Sequence, residues 1–135
     1  MTASLAQFIE VPRMTEPRGN LSFIESGRHV PFEFSRVYYI YDIPSGAVRA
    51  RHAHKTLHQF LLPLAGSFDV RLHDGRREET VTLNRPNIGL LLPPHLWHDL
   101  LNFSSGAVCL ALASAPYDES DYIRYFDEFL AYVRK

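Results

Sequence analysis

Turn-forming residues punctuate this chain at short, regular intervals: Pro17-Arg18-Gly19-Asn20, Ser26-Gly27, Pro44-Ser45-Gly46, Ala65-Gly66-Ser67, Asp74-Gly75, Pro86-Asn87, Pro93-Pro94 and Ser104-Ser105-Gly106. The segments between them are strand-sized. Residues 36–43 (RVYYIYDI) are rich in aromatic and β-branched side chains, residues 59–64 and 67–72 read as a pair around Gly66, and Asp74-Gly75 reads as a hairpin tip. Residues 80–83, 88–92 and 107–113 continue the series. Many short strands at this spacing predict an all-β sandwich or barrel. With no internal repeat, low-complexity tract or linker, a single domain is expected to cover residues 1–135.

The tail follows another rule. Residues 118–135 read DESDYIRYFDEFLAYVRK, in which Ile123, Phe126, Phe129 or Leu130, and Val133 recur at helical intervals. Asp118, Glu119 and Asp121 stand at its start and Arg134 and Lys135 at its end, the charge order a helix dipole favours. The expectation is an amphipathic helix packed on the barrel for stability, with no part in chemistry.

Several classes of function are disfavoured by composition. Fourteen Lys and Arg against fifteen Asp and Glu leave a net charge of −1 without the basic stripe of a nucleic-acid protein, so no nucleic-acid partner is expected. An anionic ligand then needs locally concentrated positive charge. The apolar run at 88–94 is far short of the ~20 residues of a membrane span, and residues 1–10 lack the basic and apolar regions of a secretory leader. Cys109, the single cysteine, cannot form an internal disulfide, which suits a reducing cytoplasm. A chain this long buries roughly two-thirds of its unfolded surface, enough for a core without staples.

The chemical signal lies in seven histidines, at 29, 52, 54, 58, 73, 95 and 98. His52, His54 and His58 fall within seven residues, and an extended backbone turns all three to one side of a sheet. Proton transfer and metal binding both need such convergence. In the 36–43 strand the same alternation places Arg36, Tyr38 and Ile40 on one side; buried there, Arg36 and Tyr38 require a polar cavity.

Gly46, five residues, His52-x-His54, Gln59, six residues and Gly66 resembles the first cupin motif, in which a glutamate stands where Gln59 does. Pro93, one residue, His95, two residues, His98, three residues and Asn102 resembles the second, with His95 in place of the usual glycine. The resemblance implies a cupin double-stranded β-helix, a jelly-roll barrel with the site inside and the C-terminal amphipathic helix added. In metal-binding cupins the ligand positions would be His52, His54, Gln59 and His98. The amide at Gln59 removes the anionic ligand, and His58 stands one residue early, so no metal and no other cofactor is expected.

A closer resemblance covers nearly the whole chain. The segments EPRGNLSFIE, RVYYIYDIPSGAVRARHAHK, HDG, LNRPNIGLLLPPHLWHDLLNFSSGAVCLALAS and YDESDYIRYFDEFL are similar to the sugar nucleotide 3,4-ketoisomerases, the WxcM-like family. One departure is Arg49-Ala50, where the family usually has an arginine and a glycine. The resemblance implies a metal-free homodimer that converts a dTDP-4-keto-6-deoxyhexose into its 3-keto isomer, for an aminotransferase that installs a 3-amino sugar.

That reaction removes the C3 proton, passes through a cis-enediol and returns a proton to C4. Histidine serves as both acid and base near neutral pH. By resemblance His52 is the base that carries the proton between C3 and C4, with His54 assisting at the oxygens and Tyr38 hydrogen-bonding a sugar oxygen or polarising His52. Arg18 and His98 resemble family positions near the sugar and match the members giving the galacto-configured product. Arg36 and Arg49 are the expected counter-charges for the diphosphate, arginine being suited to bidentate phosphate contacts. Strict alternation, however, puts Arg49, Arg51 and Lys55 opposite His52 and His54, so a bulge, a strand end or a subunit contact is needed to bring any of them to the ligand. Arg51 and Lys55 read as surface charges. Two other readings compete with the isomerase: a metal-dependent cupin dioxygenase using His52, His54, His98 and Gln59 or His58, and a non-catalytic sugar-binding cupin. The apolar stretch at 21–24 is a candidate for adding a strand to a partner's sheet.

Overall fold

The computed structural model describes residues 5–134, and Lys135 of the tail lies outside them. The strands are β1 (Gln7–Glu10), β2 (Arg13–Glu16), β3 (Gly19–Ser22), β4 (Arg36–Ile40), β5 (Arg49–His54), β6 (Gln59–Ala65), β7 (Phe68–His73), β8 (Glu78–Leu83), β9 (Ile88–Leu92), β10 (Trp97–Leu101), β11 (Val108–Ala113) and β12 (Tyr122–Ile123). One sheet runs β1-β9-β6-β11-β4 and the other β12-β5-β10-β7-β8, with antiparallel neighbours throughout; β2 and β3 form a separate hairpin. This is the expected jelly roll.

Alternation explains the layering. Along β7, Phe68, Val70 and Leu72 are buried and the residues between them half-buried. These side chains meet Leu61, Leu90, Leu92 and Ala111 of the other sheet in one core. Outside the first sheet, Phe60, Leu62 and Leu112 are covered by Val11, Val30, Phe32 and Phe34. Outside the second sheet, Ala53 and Trp97 are covered by Ile123 and by the helix α1 (Phe126–Val133) through Phe129. Among the described residues no helix is long and apolar enough to cross a membrane.

Two expectations are corrected. The strands flanking Gly66 do not pair: β6 bonds to β9 and β11, β7 to β8 and β10. The turn crosses between sheets, and glycine is required in it. Gly66 has φ of +66°, and a Cβ there would lie 2.4 Å from Ser104 Oγ. Pairing around Asp74-Gly75 does form, joining β7 to β8.

The tail is helical only from Phe126. Asp118 caps a 3-10 turn (Glu119–Asp121) by accepting from Ser120 N–H, and Tyr122 and Ile123 then pair with His54 and Ala53 on the edge of β5. A free edge, an aromatic and a β-branched residue outweighed the helical pattern over this stretch.

Candidate active site

His52 and His98 stand opposite each other in the β5–β10 register, and His54 follows two residues on, facing the same way. The ring centroid of His52 lies 4.9 Å from that of His54 and 4.8 Å from that of His98, and nitrogens of the three rings fall within 4.8 Å of one another. His54 and His98 are buried. His58 is exposed beside Phe32, outside the cluster, because the chain leaves β5 at His54.

A bulge in β5 decides what joins them. His98 pairs with His52 but Asp99 pairs with Ala50, so Arg51 is an extra residue; Ala50 and Arg51 have φ of +66° and +62°. This break in alternation lets Arg49 line the same cavity as His52, while Arg51 and Lys55 remain on the surface. Ala50 therefore occupies a left-handed position at the place where the resembling family usually has glycine. His95 does likewise, with φ of +66° where the second cupin motif usually has glycine, and its N–H bonds the His54 carbonyl at 2.8 Å.

The 118–125 segment, expected to have no chemical part, builds one wall of the site. Asp121 Oδ2 lies 3.1 Å from His54 Nδ1, and its Oδ1 accepts from Thr56 N–H at 2.8 Å and Thr56 Oγ1 at 2.7 Å. The Tyr122 ring stands 4.4 Å from His54 and 4.9 Å from His52. Arg124 lies over the Tyr122 ring at 4.2 Å and donates to both oxygens of Glu119 at 2.6 and 2.7 Å. The sequence signal for this wall was the string DYIR, a strand-forming pair between charges.

Strand β4 forms the opposite wall. Tyr38 faces inward and accepts a hydrogen bond from the Gln59 amide at 2.6 Å, which leaves its own hydroxyl proton free to point at a ligand. Burial, with Cys109 and Tyr122 nearby, pushes the Tyr38 phenol upward, so it stays a donor. Arg36 lies 5.3 Å from the Tyr38 ring, and its buried Nε has no partner. The cavity, about 360 Å³, also takes in His98, Tyr122 and the exposed Arg49 and Arg124. That volume is in the ~300–1,000 Å³ range of small-molecule sites.

Arg18 is placed elsewhere. It stands in the β2–β3 turn, 87% exposed, paired with Glu16 at 2.8 Å, and is not among the residues lining the cavity. Six of the seven candidate site residues are thus brought together, and Arg18 is not. Cys109 is buried as packing.

The electrostatics favour neutral imidazoles. Burial, with His98 and His54 alongside, pulls His52 down to about 2; Ala50 backbone opposes this without reaching hydrogen-bonding geometry, and neither ring nitrogen is bonded. Burial and His54 pull His98 down to about 4. Burial also lowers His54, against the opposing pull of Asp121. Neutral rings at physiological pH can accept protons. Three imidazoles at this spacing are also a donor set for a divalent cation, but the position of the fourth, carboxylate ligand is Gln59, a neutral amide turned onto Tyr38. The charge that would balance a dication is missing from the set.

Residues 4–134 match the family model described as FdtA: WxcM-like, C-terminal. The chain is 43% identical over 127 residues, 94% of its own length and 91% of the relative's, to TDP-4-oxo-6-deoxy-alpha-D-glucose-3,4-oxoisomerase of Aneurinibacillus thermoaerophilus. Its structure resembles that of a histidine-to-asparagine variant of the 3,4-ketoisomerase QdtA from Thermoanaerobacterium thermosaccharolyticum, in complex with TDP-4-keto-6-deoxyglucose, with a TM-score of 0.95 and 35% identity over 98% of this chain and 96% of that one. It also resembles a 3,4-ketoisomerase from Helicobacter canadensis, with a TM-score of 0.93 and 42% identity over 96% and 98%.

Proposed function

The chain belongs to the FdtA (WxcM-like, C-terminal) family, and from that premise we propose that it is a sugar nucleotide 3,4-ketoisomerase acting on dTDP-4-keto-6-deoxyglucose. The observation that carries this reading is the clustering of His52, His54 and His98, with His52 and His98 lining one cavity with Tyr38, Arg49 and Arg124 and His54 packed directly behind His52.

His52 takes the C3 proton as the C3–C4 enediol forms. Tyr38 donates a hydrogen bond to the oxygen on which charge develops, and His98 stands beside His52 against the sugar. His54 accepts the O3 proton at Nε2 and releases it to O4, while His52 returns its proton to C4. One C–H and one O–H are broken and one of each is made, so no redox partner is needed. General acid–base work of this kind is worth ~10²–10⁴-fold per group. Arg36 and Arg49 hold the diphosphate, concentrating positive charge in a protein of net charge −1, while Arg124, its charge paired with Glu119, borders the same cavity.

The galacto configuration at C4 is proposed from the resemblance carried by Arg18 and His98. Arg18 can serve a sugar only if a second copy presents the β2–β3 hairpin, so the active form is proposed to be a homodimer. Every residue of both hairpin strands is exposed in the single chain, Met14 and Leu21 included. The 3-keto product is the substrate an aminotransferase needs to install a 3-amino group. A cytoplasmic setting agrees with the buried, unpaired Cys109.

The test is to assay the protein and its His52→Asn variant with dTDP-4-keto-6-deoxyglucose by NMR. The wild type should form the 3-keto isomer with an axial C4 hydroxyl, and the variant should lose at least 10²-fold in turnover while still binding dTDP. No 3-keto product, with stoichiometric bound iron, nickel or manganese and chelator-sensitive consumption of dioxygen, would favour the dioxygenase-type cupin, for which the three imidazoles would be the ligands. Binding without conversion would favour the non-catalytic one.

A further inference from the structure

Asp121 reaches His54 from outside the barrel proper, and the backbone holds it there. The Lys55 N–H bonds the Asp121 carbonyl at 2.9 Å, and Tyr122 pairs with His54 in the β12–β5 register. Of the two carboxylate oxygens, Oδ1 is occupied by the Thr56 amide and hydroxyl and Oδ2 faces His54 Nδ1. Asp121 is half-buried and its partner ring is 3% exposed. An ionised carboxylate only accepts hydrogen bonds, so the ring nitrogen facing it must carry the proton. The other nitrogen, Nε2, is buried with no partner of its own. Tyr122 and His52 stand close to the ring, at 4.4 and 4.9 Å, and limit its rotation.

We propose that Asp121 is a positioning residue that fixes His54 as the Nδ1–H tautomer and so presents the Nε2 lone pair to the sugar oxygens. This rests on the assignment of His54 to the O3-to-O4 proton transfer. Asp121 touches no reacting atom; it acts through His54, and it stabilises the imidazolium formed while His54 holds the proton. Thr56 makes the arrangement selective. Its backbone N–H is an obligate donor, so an asparagine at 121 would have to turn its carbonyl oxygen to Thr56 and its NH₂ to His54. The donated NH₂ would force the proton of His54 onto Nε2, the wrong nitrogen, with almost no change of shape.

The experiment combines the intact wild-type protein, Asp121→Asn and His54→Gln. In the wild type, ¹⁵N NMR of the histidine rings should show His54 protonated at Nδ1; protonation at Nε2 there overturns the proposal even if the variant does not fold. In Asp121→Asn the proton should move to Nε2 and kcat should fall roughly 10²–10⁴-fold, with KM changed less than about threefold. If His54→Gln abolishes turnover while Asp121→Asn keeps it within about threefold, the tautomer proposal is wrong and the role of His54 stands. If His54→Gln itself turns over normally, the catalytic reading of His54 fails and the proposal falls with it.

Discussion

One methyl group at residue 50 reports on how this site is built. Ala50 sits at φ of +66°, where an L side chain costs roughly 1–2 kcal/mol and glycine costs nothing sterically. This left-handed residue opens the bulge that lets Arg49 share the cavity with His52. Ala50→Gly should relieve that strain at the cost of a more flexible unfolded chain. The net expectation is about 0.5–1 kcal/mol of added stability, a rise of roughly 2–4 °C in Tm by calorimetry. A lower Tm would mean that the methyl contacts hold more than the backbone strain releases. Gln59 shows the same economy of side chains: its amide, standing where metal cupins have a carboxylate, holds Tyr38 with the phenolic proton free.

Among the elements, those with a clean period were legible in the sequence and those set by distant partners were not. The alternation in RVYYI placed Arg36 and Tyr38 inside, and the two-residue spacing of His52 and His54 put both rings in one cluster with His98. Pairing around Gly66 was misread because a short turn in a jelly roll can join strands of opposite sheets, and no local pattern distinguishes that crossing from a hairpin. The acids at 118–121 imitate a helix start, yet they serve an edge strand, His54, Thr56 and Arg124; only the location of the β5 edge reveals this. Arg49 was named through the family resemblance, whereas strict alternation put it on the opposite face; the bulge at Arg51 is what brings it to the cavity. The β2–β3 hairpin carries a prediction of its own, since an isolated two-stranded hairpin is marginal in water. Sedimentation should give a dimer, and Leu21→Asp should shift it to monomer by placing a charge on an apolar contact. A wild-type monomer at micromolar concentration would remove the route by which Arg18 meets a sugar.

Taken whole, the molecule is a two-sheet barrel with a polar interior region tied to its outer layers. The core between the sheets is aliphatic and aromatic, while at one side it gives way to three imidazoles, a phenol and arginine side chains. The tail closes this region and the helix covers the back of the same sheet, so Trp97 and Ala53 are buried behind the strands that carry His98 and His52. In the proposed reaction this region passes a proton between adjacent carbons of the bound sugar, with Arg36 and Arg49 supplying local positive charge for an anion in a chain of net charge −1. The most direct measurement is to strip the wild-type protein with chelator, verify its metal content by elemental analysis, and follow dTDP-4-keto-6-deoxyglucose in deuterated water by NMR. The account predicts an undiminished rate of 3-keto product, with C4 carrying either the original C3 hydrogen or solvent deuterium delivered by one base. Loss of conversion on chelation, restored by a stoichiometric divalent ion, would contradict it.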